Sequence, residues 1–324
     1  MRSVLNRLLG LALVAFLALG PAHPVWAGGP DRFVVFGDSL SDPGNGFIVL
    51  GTATVPPFTD LVPDAPYARG GMHFSDGPTW IEQLALLDHA QPSAGPAFRL
   101  PLVFSNYAVD GARARLSRPV DLTAQVALFL QNVGGQAPAG SLYVVWAGGD
   151  DLRDALQALS ADPSGATSAA IVQQAIASIS SNIVTLYGAG ARRFFVPNAP
   201  DVGLTPAVRL LGPVAQGAAT LFSAQFNAAL EQVLVGLESG LGIEIVRLDV
   251  FALLHEIVAH PEAVGLTNVD TPCIALNTTV HPYCARPDQF LFWDGIHPTT
   301  TGHAIVAQRA SAALAAQPAL TSTR

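Results

Sequence analysis

The sequence predicts an α/β fold, a parallel sheet with helices on both faces, and two observations predict it. Short apolar runs rich in Val and aromatics recur between longer runs with helical spacing. The short runs are nearly continuous rather than alternating, as strands buried on both faces must be. Strand–helix alternation of this kind gives a parallel sheet.

Taken in order, "RFVVFG" (32–37) reads as the first strand and "LVFSNYAV" (102–109) as a shorter, more polar second. "SLYVVWAG" (141–148), "ARRFFVPNA" (191–199) and "IEIVRLDV" (243–250) supply three more, so roughly five strands are expected. Helical patterns lie between them. "TWIEQLALLDHA" follows the turn-forming Asp76-Gly77-Pro78, and "DLTAQVALFLQNV" opens on Asp121, a candidate N-cap. A third runs from Ser168 to the stop signals Gly188 and Gly190, a fourth through "AQGAATLFSAQFNAALEQVLVGLESG", and the last from Thr301. Residues 51–71 carry prolines without periodicity and read as a surface loop, a candidate pocket wall.

The N-terminus has Arg2 and Arg7, an apolar run from Leu8 to Leu19, and small residues Val25 and Ala27 at cleavage spacing. This predicts a signal peptide over 1–27, an exported protein (periplasmic or secreted), and one domain over 28–324. Hydrophobic residues make up 50% and charged ones 12%, enough for a large core. A net charge of −8 leaves no basic footprint for nucleic acid. Cys273 and Cys284, the two cysteines, close a short loop and in an oxidising compartment are expected to pair. Two thiols without ligands at suitable spacing make a poor zinc site.

Ligands in such sheets sit beyond the carboxyl ends of the strands. Polar and glycine-rich residues collect there: Gly37-Asp38-Ser39, "NYAVDGAR", "GGDDL" and "NAPDVG". A serine nucleophile needs a base, and the base an orienting acid. Asp294 and His297, in "FLFWDGIHPTTTGH", are spaced so that the carboxylate can sit under the imidazole. Alone, the pair also fits an ordinary polar turn, with Thr299 or Thr300 capping the last helix.

Together the blocks resemble the GDSL esterases of the SGNH hydrolase superfamily, including its phospholipase and lecithinase-like haemolysin branch. "VVFGDSLSDPGN" is similar to the family's nucleophile block, "NYAVDGAR" to its glycine block, and "FWDGIHPTTTGH" to its acid–base block. "WAGGDDL" stands where the family has Gly-x-Asn-Asp. The resemblance implies a three-layer α/β/α, flavodoxin-like fold with strand order 2-1-3-4-5. It implies Ser39 as nucleophile, His297 as general base and Asp294 as its orienter, with no metal or organic cofactor. Ser41 is then a residue of the helix start. The implied oxyanion hole uses the N–H groups of Ser39 and Gly111 and a third donor at Asp150. The implied substrate is a small-molecule or lipid ester, with transient contact to membrane lipid.

Asp150 departs from the family's asparagine. An ionised carboxylate has no proton to donate and repels an oxyanion, and one missing donor typically costs about 10²–10³ in rate. Protonation of Asp150, its turning away, and weakened activity are the three ways out. Rival readings are an acyltransferase using the same acyl-enzyme and a non-catalytic binding protein on a decayed scaffold. "HEIVAH" resembles a zinc-protease motif, but His255 and His260 would point about 140° apart around a helix. No Gly-x-Ser-x-Gly elbow is present, which disfavours the α/β-hydrolase fold.

Overall fold

The computed structural model describes residues 32–116 and 118–317. The expected signal peptide lies outside them. Four parallel strands form the sheet in the order β1 (Phe33–Gly37), β2 (Leu142–Trp146), β3 (Arg193–Pro197) and β4 (Glu244–Leu248). Every residue of β1, β2 and β3 is buried, as their unbroken apolar character requires.

Side chains of successive strand residues point to opposite faces, and the core divides accordingly. Val34, Phe36, Tyr143, Val145, Phe194 and Val196 pack against α3 (Leu122–Asn132), α4 (Gly149–Ala158), α5 (Ala166–Gly188) and α7 (Pro213–Leu241). Phe33, Val35, Leu142, Val144, Trp146 and Phe195 pack against α2 (Trp80–Leu87), α8 (Val250–Ala259) and α9 (Thr300–Ala315). The three layers are helices, sheet, helices.

The expectation of a full second strand over 102–109 is corrected by the structure. Leu102 takes a left-handed φ of 74°, and Phe104 donates its N–H back to the Leu100 carbonyl. Pro101, which has no N–H, sits in this turn. From Ser105 onward the chain does run beside β1: Val35 N–H bonds Ser105 O, and Tyr107 and Val109 N–H bond the carbonyls of Val35 and Gly37. This strip takes the outer place beside β1, so the spatial order is the flavodoxin-like 2-1-3-4-5 with a ragged fifth member. The Asn106 side chain takes the Ala108 N–H and donates to Ser41 O, drawing the strip toward the turn after β1.

Thr79 and Glu82 make a capping box on α2, and Thr299 caps α9 by accepting from the Gly302 N–H. Asp121 precedes α3 as expected but does not cap it. Its carboxylate turns back to the N–H groups of Arg113 and Arg118. Two further strands, β5 (Asn268–Pro272) and β6 (Phe290–Phe292), pair in a small separate sheet. Cys273 and Cys284 are disulfide-bonded beside it. They pack with Phe58, Tyr67, Ile274 and Trp293 in a third cluster. Loop 51–71 is therefore more than surface, because Phe58 and Tyr67 are buried in that cluster.

Candidate active site

The chain leaves β1 through Gly37, where a Cβ would lie 2.2 Å from the Trp146 carbonyl oxygen, so no other residue fits. Asp38 accepts from the Leu40 N–H and caps a single 3₁₀ turn, Ser39–Ser41. The turn is braced from outside. Ser41 Oγ accepts from Trp80 Nε1 at 2.9 Å, and Asp42 accepts from the N–H groups of Gly44, Gly46 and Asp110. Ser41 is thus a buried structural residue closing this turn. It does not start a helix, since α1 begins only at Asn45 (Asn45–Leu50).

The loop between β6 and α9 brings Asp294 and His297 to this turn. His297 Nε2 lies 2.8 Å from Ser39 Oγ, and His297 Nδ1 lies 2.7 Å from Asp294 Oδ2. All three residues are buried. Asp294 Oδ1 accepts from the N–H groups of Ile296 and His297, and Oδ2 also accepts from the Tyr67 hydroxyl at 2.9 Å. The Phe74 ring packs on the imidazole with centroids 5.4 Å apart. Burial opposes charge on His297, but the adjoining Asp294 carboxylate outweighs it and raises the ring's pKa above 6.5.

Gly111 follows the outer strip with φ 68°, a conformation that favours glycine. Its carbonyl accepts from Arg113 and Arg118. Asp150 stands in the first turn of α4, with Oδ1 2.9 Å from Arg153 Nη2 and 3.8 Å from Arg113 Nη1. Burial raises its pKa, and the two arginines only partly offset this. Burial, then the charge of Asp150, pushes Asp38 up to about 7, and burial pushes Asp110 to about 8. Asp151 accepts from the N–H of Ala114 and from Arg115, bracing the loop after Gly111.

The structure brings Ser39, Asp294 and His297 into one hydrogen-bonded chain. Tyr67 escapes sequence reasoning because it lies in a loop without periodicity. Arg113 and Arg153 escape it too, although the arginines of "GARAR" and the aspartates around Arg153 in "DDLRDA" carry a charge signal. His255 of the zinc-like motif meets Asp201 at 2.9 Å.

A parallel sheet with a hydrogen-bonded Ser–His–Asp chain at the carboxyl ends of its strands is a layout in which a nucleophile, a base and an orienting acid can act together. The chain matches the family described as GDSL-like Lipase/Acylhydrolase over residues 33–310 and belongs to it, which supports an ester-bond hydrolase. It is 28% identical to "Inactive GDSL esterase/lipase-like protein 25" of Arabidopsis thaliana, over 82% of this chain and 67% of that protein. It is 26% identical to "Lipase 1" of Photorhabdus luminescens, over 92% of this chain but only 52% of that protein, so it spans about half the relative's length. Among solved structures, an acetylxylan esterase from Geobacillus stearothermophilus superposes with TM-score 0.48 at 14% identity, covering 90% of this chain and 96% of the other.

Proposed function

We propose that the protein is an exported serine esterase that hydrolyses carboxylic esters of lipid or other acyl type through Ser39, His297 and Asp294. The observation that carries this reading is the continuous chain from Ser39 Oγ to His297 and on to Asp294. Ser39 Oγ attacks the ester carbonyl carbon while His297 Nε2 takes its proton. Asp294 holds the ring and stabilises its positive charge. The N–H groups of Ser39 and Gly111 donate to the oxyanion. His297 then gives the proton to the departing alcohol, leaving an acyl group on Ser39. Water, deprotonated by His297, releases the acid and restores the serine.

At the third oxyanion position stands Asp150, whose pKa burial raises toward the protonated form that can donate, while Arg153 and Arg113 favour the ionised one. The Cys273–Cys284 bond supports an oxidising compartment, in keeping with the expected leader over 1–27. The two main core clusters share one sheet, which supports a single domain over 28–324. The test is a panel of p-nitrophenyl esters, phospholipids and acetylated sugars. Hydrolysis of at least one by wild type, and of none by Ser39→Ala, is expected. No hydrolysis by folded wild type, or equal rates in Ser39→Ala, overturns the reading.

A further inference from the structure

Asp150 stands where a neutral donor is expected, and its neighbours are charged. An alternating chain of ion pairs runs through it: Arg153, Asp150, Arg113, Asp154, Arg115 and Asp151, with successive separations of 2.9, 3.8, 2.9, 2.7 and 2.8 Å. Three guanidinium groups face three carboxyls, so the chain is neutral when all are ionised. It ties α4 to the loop after Gly111.

Arg113 has a particular place in this chain. Asp154 grips it in a fork, through Nε at 3.0 Å and Nη2 at 2.9 Å. That leaves Nη1 to donate to the Gly111 carbonyl and to lie 3.8 Å from Asp150 Oδ1. One fixed guanidinium therefore touches both the Gly111 loop and the third oxyanion position. The Gly111 carbonyl has a second donor in Arg118, so Arg113 does not hold that loop alone. What Arg113 adds is positive charge at Asp150 from the protein side, its side chain being only 14% exposed. Arg153 holds the same oxygen more closely, but from a side chain 39% exposed, where water screens the pair.

The charge of Asp150 reaches the reacting groups. Asp150 and His297 bear on each other's ionisation, and Asp150 helps to raise Asp38, the residue before Ser39. A carboxylate left without its partners here would oppose the negative charge that develops on the ester oxygen, and burial strengthens that opposition.

We propose that Arg113, held by Asp154, is a positioning residue that offsets the charge of Asp150 beside the oxyanion, so that the two act as a matched pair where a neutral side chain would otherwise serve. The pairing rests on the esterase reading above. It ties the departure at Asp150 to an arginine in another segment of the chain, and it makes the effect of either residue depend on the other.

The test is a double-mutant cycle of Arg113→Gln and Asp150→Asn, with kcat and KM measured on the p-nitrophenyl ester that wild type hydrolyses fastest. Arg113→Gln alone should lower kcat about tenfold or more and leave KM within about twofold, because the interaction matters only once the oxyanion forms. In the Asp150→Asn background the same change should cost less than about threefold, since no carboxylate remains to offset. Arg113→Lys keeps the charge but loses the fork, and should recover at least about threefold of the kcat lost in Arg113→Gln. Thermal melting checks folding, and Arg113→Met replaces Arg113→Gln if that variant does not fold. Equal falls in both backgrounds, as a purely structural Arg113 would give, overturn the pairing alone. So does an unchanged kcat in Arg113→Gln, or the lack of any recovery in Arg113→Lys. Absence of Ser39-dependent hydrolysis in wild type overturns the esterase reading and the pairing with it.

Discussion

Asp294 accepts hydrogen bonds from two backbone N–H groups, one imidazole and one phenol. Four donors hold the carboxylate in one orientation, and the carboxylate holds the imidazole. Tyr67 is then a positioning residue. Tyr67→Phe removes a donor from the Asp294 carboxylate, concentrates its charge on the imidazole and should raise the His297 pKa further. We expect kcat to fall about tenfold with KM little changed, and the acid limb of the pH profile to move to higher pH. A fall in kcat without movement of the limb would point to lost packing instead. Asp150→Asn restores a permanent donor where the carboxyl must hold a proton, so kcat should be kept or raised. A tenfold or greater fall would remove Asp150 from the oxyanion position. Ser39, Asp294 and His297 are legible in the sequence because each sits in a short motif fixed to a strand end or helix start. Tyr67 is not, because its partner lies 227 residues away and its own loop has no pattern.

At the scale of elements, the buried strands and long helices are legible from apolar runs and helical periodicity. Apolar patterning over-reads 102–104 as strand, because it does not report the left-handed Leu102 or the turn that Phe104 closes onto Leu100, whereas 105–109 does run beside β1. The short α8 lies hidden in an apolar stretch that itself carries His255 of the misleading histidine pair. β5 lacks apolar patterning, and the β5–β6 unit packs beside the disulfide cluster that also encloses Tyr67 and Trp293. Replacing both cysteines by serine reopens a short loop and should lower unfolding stability by about 2–3 kcal/mol. Chemical denaturation measures this, and an unchanged midpoint would show that packing alone holds the unit.

Over the whole molecule, several buried carboxyls lie around one imidazole. Asp38 and Asp110, held near 7 and 8 by burial, keep protons that unfolded aspartates lose near 3.8. Their contribution to stability is full below 3.8 and is lost as pH rises through the folded values. His297, raised above 6.5, adds a loss of the same sign above that pH. His303 acts oppositely, but only below 6.5. The melting temperature should therefore fall as pH rises from about 6.5 to about 8, and Asp110→Asn should weaken the fall. A melting temperature that rises across that range would contradict this arrangement of charges.

The proposed chemistry turns on Ser39 as the nucleophile. Folded protein treated with a fluorophosphonate and analysed by peptide mass spectrometry tests that role most directly. One adduct is expected, on the peptide carrying Ser39, absent from Ser39→Ala and strongly slowed in His297→Ala. No adduct on folded wild type, or an adduct on Ser41 instead, would contradict it.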